Sequence, residues 1–139
     1  MEDVTSAVVG VLDTHAALWA QLDPARLGPA ARRLLAGRSP AAVAVSDVTL
    51  TEVARLLHDG RIVPASAAPA AWLEAFARCY NVRPVTASIA WTATAFGWEH
   101  RDSCDRHILA TAAVLRIPLV TVDRTLAAFA AKVGVQVVW

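Results

Sequence analysis

The stretch VVGVLDTH, residues 8–15, and its later counterpart LVTVDRTL, residues 119–126, decide the fold that this sequence predicts. In each stretch a run of apolar, largely β-branched residues ends at an acid, Asp13 or Asp123, and a helical pattern follows. A strand that is apolar on both faces is typical of a parallel sheet covered by helices. We therefore expect two buried parallel strands, each followed directly by a carboxylate and then by a helix.

The rest of the chain continues this alternation of short apolar runs and amphipathic stretches. Further strands are predicted at residues 42–45, 82–85 and 135–138. Helices are predicted near residues 14–20, 29–36, 47–58, 67–80, 87–96, 103–115 and 124–131. Such alternation favours an α/β fold. We expect a three-layer α/β/α sandwich with a central, mainly parallel sheet, formed as a single domain by residues 1–139.

The bulk composition suits one cytoplasmic domain. The chain has 139 residues and a net charge of +1, so overall charge does not argue for a nucleic-acid partner. Arginine outnumbers lysine twelve to one, which would suit local phosphate contacts. The two cysteines have no disulfide or metal-type spacing, which fits a reducing compartment. We expect no signal peptide and no membrane span.

Four acids should gather at one edge of the predicted sheet. Asp13 and Asp123 end strands, and Glu52 and Asp105 lie on helices that follow loops at the same edge. Ligands of open α/β sheets bind outside the carboxyl ends of the strands. Crowded carboxylates repel one another unless a cation or shared protons neutralise them, and their hard oxygens suit Mg²⁺ or Mn²⁺. We therefore predict that these four acids are both metal ligands and catalytic groups.

Hydroxyl and guanidinium groups flank the predicted metal site. Small hydroxyl residues adjoin the acids and could orient carboxylates or bound water; they are Thr14, Ser46 and Thr121. Cations near the acids could receive a phosphate backbone; they are Arg101, Arg106 and Arg124.

Each acid taken alone also has a purely structural interpretation. Asp13, Asp102 and Asp123 could cap the helices that follow them. Asp105 could be a first-turn acid that the helix dipole favours, and Glu52 could be an exposed helix residue. All four acids at one sheet edge make the structural interpretation the weaker one.

Four segments together resemble the PIN-domain ribonucleases, and among them the VapC toxins of bacterial type II toxin–antitoxin pairs. The segments are LDTHAALW, SDVTLTEVARLLHDGRI, HRDSCDRHILATA and LVTVDRTL, and the similarity extends over about residues 8–139. The resemblance implies that the family acids fall on the same four residues and that Asp102 is a frequent additional acid. Ser103 and Cys104 depart from the family pattern, beside the site rather than in it.

The resemblance also implies an activity and partners. It implies Mg²⁺- or Mn²⁺-dependent endonucleolytic cleavage of RNA, a homodimer, and a cognate antitoxin protein that blocks the site. Two alternatives remain open from the residues. The same acids could serve a small-molecule phosphohydrolase, or they could bind an ion in a non-catalytic interaction domain.

Overall fold

A five-stranded parallel sheet organises the part of the chain that the computed structural model describes, residues 7–66, 68–99 and 102–139. The strands are β1 (Gly10–Leu12), β2 (Val43–Ser46), β3 (Asn81–Arg83), β4 (Leu119–Val120) and β5 (Val137–Val138). They lie in the order β3-β2-β1-β4-β5, and every neighbouring pair is parallel. The predicted parallel sheet is confirmed, with β1 at its centre.

Seven α-helices connect these strands within the described residues. They are α1 (Thr14–Leu22), α2 (Pro29–Leu35), α3 (Asp47–His58), α4 (Pro69–Arg78), α5 (Ala87–Ala95), α6 (Ser103–Leu115) and α7 (Arg124–Lys132). Side-chain oxygens cap α1, α3, α5, α6 and α7, whereas α2 and α4 begin at a proline whose fixed φ suits the first helical turn. In the described residues no helix has the length and apolarity needed to span a bilayer.

The sheet separates two apolar layers. Val11 packs on one face with Ile108 of α6 and Leu126 of α7. The next residue along β1, Leu12, packs on the other face in a second cluster, because successive strand residues point to opposite faces. That second cluster includes Val45, Leu57, Phe76 and Val120. Helices thus cover both faces, which confirms the three-layer α/β/α sandwich.

Four of the five strands are shorter than the runs predicted for them, and β1 and β4 bear on the site. The first run, residues 8–12, forms a strand only at Gly10–Leu12, and the run at residues 119–122 forms one only at Leu119–Val120. Leu12, the last residue of β1, pairs with Val120 of β4. The chain then leaves the sheet at Asp13 and enters α1 at Thr14. Beyond Val120, β4 therefore has no strand beside it on that side, and Val122 is exposed. The same register brings Asp13 beside Thr121.

Candidate active site

Asp13 is a buried carboxylate at the carboxyl end of the central strand. Only 6% of its surface is exposed. Its Oδ1 accepts a hydrogen bond from the Ala16 backbone N–H at 2.8 Å, and its Oδ2 accepts one from the Thr121 hydroxyl at 2.5 Å. Burial raises the pKa of Asp13 above its usual range, and the negative charge of Asp123 adds to the rise. The hydrogen bonds from Thr121 and Ala16 act in the opposite direction.

The Thr121 hydroxyl links two of the predicted acids. It donates to Asp13 and accepts from the Asp123 backbone N–H at 3.0 Å. Asp123 in turn caps α7, since its Oδ1 accepts from the Leu126 N–H at 3.0 Å. Thr121 is fully buried while Asp123 lies at the surface. One hydroxyl therefore fixes the backbone of the outer acid relative to the side chain of the inner one.

A second threonine links the first turn of α1 to Glu52 on α3. The Thr14 hydroxyl donates a short hydrogen bond to Glu52 Oε1 and lies 3.4 Å from the Thr49 hydroxyl. Thr14 and Thr49 are both buried, so this polar pair lies under the half-exposed Glu52. Sequence reasoning missed Thr49. Its spacing of three residues before Glu52 puts it on the same face of α3 and could have revealed it.

The start of α6 brings Asp102 and Asp105 into the same region. Asp102 Oδ1 accepts from the backbone N–H groups of Cys104 at 2.9 Å and Asp105 at 3.3 Å, so Asp102 is the cap of α6. Burial raises the pKa of the Cys104 thiol, and the charges of Glu52, Asp102 and Asp105 raise it further. Glu52, Asp102 and Asp105 therefore all lie near enough to the Cys104 thiol for their charges to act on it. The raised pKa also means that the thiol is not activated as a nucleophile.

The acids meet at one edge without converging on a single point. In residues 7–66, 68–99 and 102–139, no three His, Cys, Asp or Glu side chains are close enough to hold one ion. Asp13 and Asp123 each turn toward the start of their own helix, and Glu52 turns toward Thr14. The hydrogen bonds of Asp13 and Asp123 are therefore those of helix caps. The atoms that the site residues offer to a metal ion are nevertheless carboxylate and hydroxyl oxygens, which fit Mg²⁺ or Mn²⁺.

The remaining predicted site residues are connected less directly to the acids. Ser46 is buried at the end of β2 and caps α3 by accepting from the Val48 N–H at 3.3 Å, so it positions the helix of Glu52 rather than a carboxylate. Arg124 is exposed directly after Asp123, and Arg106 is half-buried beside Asp105. Arg101 lies outside the described residues.

The family model of the PIN domain matches residues 10–132. The chain belongs to the PIN-domain family. The matched span contains all four predicted acids. PIN domains are nucleases, so membership supports a hydrolase that acts on nucleic acid. No curated protein matches the chain.

Solved structures share the fold at low sequence identity. A toxin–antitoxin complex from Klebsiella pneumoniae is 21% identical, with a TM-score of 0.60 over 86% of this chain and 90% of that one. VapBC2 from Rickettsia felis, bound to a DNA fragment from its promoter, is 13% identical, with a TM-score of 0.64 over 94% and 97%. FitAB bound to the IR36 DNA fragment is 19% identical, with a TM-score of 0.57 over 93% of each chain. These likenesses establish a common PIN fold.

Proposed function

We propose that this PIN domain is a metal-dependent endoribonuclease that acts as the toxin of a type II toxin–antitoxin pair. The observation that carries the proposal is the arrangement of acids and hydroxyls at the carboxyl edge of the sheet. Thr121 ties Asp13 to Asp123, and Thr14 ties the start of α1 to Glu52. A purely structural set of helix caps does not require a buried carboxylate at the centre of this edge, where desolvation opposes its charge.

The chain's own residues would divide the work as follows. Directly or through bound water, Asp13, Glu52, Asp105 and Asp123 would hold Mg²⁺ or Mn²⁺. A divalent ion supplies Lewis-acid polarisation of the phosphodiester and lowers the pKa of bound water. Thr14 and Thr121 would keep the carboxylates of Glu52 and Asp13 in place when the edge is empty of substrate.

Positively charged groups beside the acids would receive the RNA backbone. Arg124 follows Asp123 directly and is exposed, so its guanidinium can reach a phosphate at the edge of the site. Arg106 occupies the residue after Asp105 on α6. Arg101, just before Asp102 in the sequence, completes the predicted set of phosphate contacts.

Partners are proposed from the family and from the kind of complexes that share the fold. Of the three solved structures above, one is a toxin–antitoxin complex, and VapBC2 and FitAB are each bound to a DNA fragment. We propose a cognate antitoxin that covers the acids, a homodimer, and a cytoplasmic site of action where RNA is available. If a short reading frame adjoins the gene, co-expression of its product with this chain should yield a stable complex that no longer cleaves RNA. A product that neither binds nor inhibits the chain would count against the toxin assignment.

The nuclease proposal is tested by cleavage of defined single-stranded RNA by the purified chain. We expect cleavage with Mg²⁺ or Mn²⁺, none in EDTA, and recovery when the ion is restored. Nucleotide and sugar phosphates offered under the same conditions should remain intact. Turnover of these small phosphates with RNA left uncut would favour the phosphohydrolase alternative, and ion binding without turnover of either substrate would favour the interaction domain.

A further inference from the structure

His15 is exposed on the first turn of α1, two residues after Asp13. Although burial raises the pKa of Asp13, the charge of His15 lowers it, so the imidazole lies close enough to act on that carboxylate. Helix α1 packs on the face of the sheet that carries Leu12, whereas α7 packs on the opposite face. His15 therefore adjoins the acids from the side away from Arg124.

The imidazole of His15 is supported by Trp19, one turn farther along α1. Residues four apart lie on the same face of a helix, and the two ring centroids are 5.9 Å apart with the planes inclined by 57°. His107 differs, because its Nδ1 lies 2.6 Å from the Ser103 carbonyl oxygen. Among the residues that the structure describes, no hydrogen bond occupies the ring nitrogens of His15. Its ring is thus held in position while its nitrogens face solvent.

The indole of Trp19 is itself held on two sides. The Arg26 guanidinium lies over it, 4.3 Å from the ring centroid. The Trp139 ring meets it edge-on, with centroids 5.8 Å apart. The Trp139 carbonyl oxygen accepts hydrogen bonds from the backbone N–H groups of Ala30 and Ala31, at 2.8 and 3.1 Å. The stack therefore joins α1 to the first turn of α2 and fixes the ring against which His15 lies.

The surface around Arg26 is suited to an anionic partner. A guanidinium that stacks on an aromatic face keeps its N–H donors in its own plane, and Arg26 forms no ion pair within the described residues. Residues 24–46 contain four arginines and no acid. Two donors on one indole, with further positive charge beyond them, fit a chain of successive phosphates. The four arginines are all exposed; they are Arg26, Arg32, Arg33 and Arg38.

We propose that His15 and Arg26 bind two phosphates of the RNA substrate on the α1 side of the acids. The imidazole N–H donates to a phosphate next to the scissile one, and the guanidinium edge donates to a phosphate farther along the strand. Trp19 is a positioning residue, since it contacts both groups. The inference rests on the proposed ribonuclease activity. It adds a path on which the RNA backbone crosses the carboxyl edge of the sheet from the face of α7 to the face of α1.

The first test is steady-state cleavage of a short RNA by His15→Ala. Loss of a hydrogen bond to a charged phosphate should lower kcat/KM roughly tenfold. The loss should appear mainly in KM, because a contact outside the scissile phosphate is made equally in the ground state and the transition state. His15→Gln, which keeps an N–H donor, should retain most of the activity. His58→Ala is the matched control, since His58 is exposed at the far end of α3, and it should cleave at the unmodified rate.

Arg26→Gln tests the second contact, and Trp19→Leu tests the support of both. Arg26→Gln should raise KM and lower the slope of log affinity against log salt by about 0.7. Arg78→Gln is its control, because Arg78 is exposed at the end of α4, which leads into the amino end of β3. Trp19→Leu should raise KM in the unmodified chain but add little to the KM of the His15→Ala, Arg26→Gln double variant. An equal rise in both would reduce Trp19 to a structural residue.

Single methylphosphonate linkages in the RNA identify the contacted phosphates. Each such linkage removes one phosphate charge and leaves the protein unchanged. The linkage that His15 contacts should slow cleavage by the unmodified chain and make no further difference to His15→Ala. Arg26→Gln should show the same loss of sensitivity at a different linkage. In His58→Ala, every linkage should act as it does in the unmodified chain.

The outcomes separate this inference from the proposed function. Absence of RNA cleavage by the unmodified chain would overturn the ribonuclease proposal itself. Normal cleavage in which His15→Ala and Arg26→Gln match their controls would overturn only the phosphate contacts. So would neutral linkages that slow the two variants as much as they slow the unmodified chain. Variants that cleave RNA normally but no longer bind the antitoxin would assign this surface to a protein partner instead.

Discussion

Removal of the Thr121 hydroxyl tests the hydrogen-bond network at the sheet edge. Thr121→Val keeps the shape of the side chain but leaves Asp13 without its 2.5 Å donor. A hydrogen bond to a charged group contributes about 1.5–3 kcal/mol to the free energy of unfolding. Burial of the new methyl group offsets about 0.8 kcal/mol of that loss. We expect a net loss of about 1–2 kcal/mol, or a Tm lower by roughly 3–10 °C for a chain of this size.

The assay is urea unfolding followed by tryptophan fluorescence, in EDTA so that no ion offsets the change. Thr111→Val is the matched control, because Thr111 is equally buried but its hydroxyl donates to the His107 carbonyl of its own helix, at 2.7 Å. That carbonyl remains within the helix ladder, so the control should lose no more than about 1 kcal/mol. Equal stability of the two variants would refute the argument that Asp13 depends on Thr121.

Three further substitutions test other parts of the structure. Thr14→Val should slow RNA cleavage at least about tenfold, because it removes the donor to Glu52; an unchanged rate in a folded variant would remove Thr14 from the site. Burial raises the pKa of Tyr80 to about 12, so stability should be intact below pH 10 and should fall by about 2–3 kcal/mol as pH rises to 12. Tyr80→Phe should abolish that alkaline loss and cost about 1 kcal/mol at neutral pH, and an unchanged pH profile would contradict it. Gly28→Ala should destabilise the chain by about 1–3 kcal/mol in thermal unfolding, since its Cβ would lie 2.5 Å from the Trp139 backbone carbon; wild-type stability would show that the C-terminus can move aside.

The sequence predicted the layers of the fold well because the signals are local. Runs of buried β-branched residues located β1 and β4, and Asp102 marked the start of α6 as a cap. Strand ends were predicted less well. A strand ends where its neighbouring strand stops, as β4 does before Thr121. No sequence pattern within a single segment indicates where the neighbouring strand stops.

The candidate site shows the same division between local and distant information. The position of Asp13 and Asp123 at the same edge of the sheet follows from the alternation of strands and helices along the chain. The direction of each carboxylate does not, because it depends on donors far along the chain, such as Thr121 for Asp13, 108 residues away. The stack of Trp98 on Phe129 likewise joins two segments whose contact only the folded chain reveals.

The most direct test of the central claim is the rate of RNA cleavage by Asp13→Asn in the presence of Mg²⁺. Asparagine is as good a helix cap as aspartate, so α1 should still form and far-ultraviolet circular dichroism should be unchanged. Asp59→Asn, at the exposed end of α3, is the matched control and should cleave at the wild-type rate. The account predicts that Asp13→Asn lowers the rate by about a hundredfold or more. A folded Asp13→Asn chain that cleaves RNA as fast as the Asp59→Asn control would contradict it.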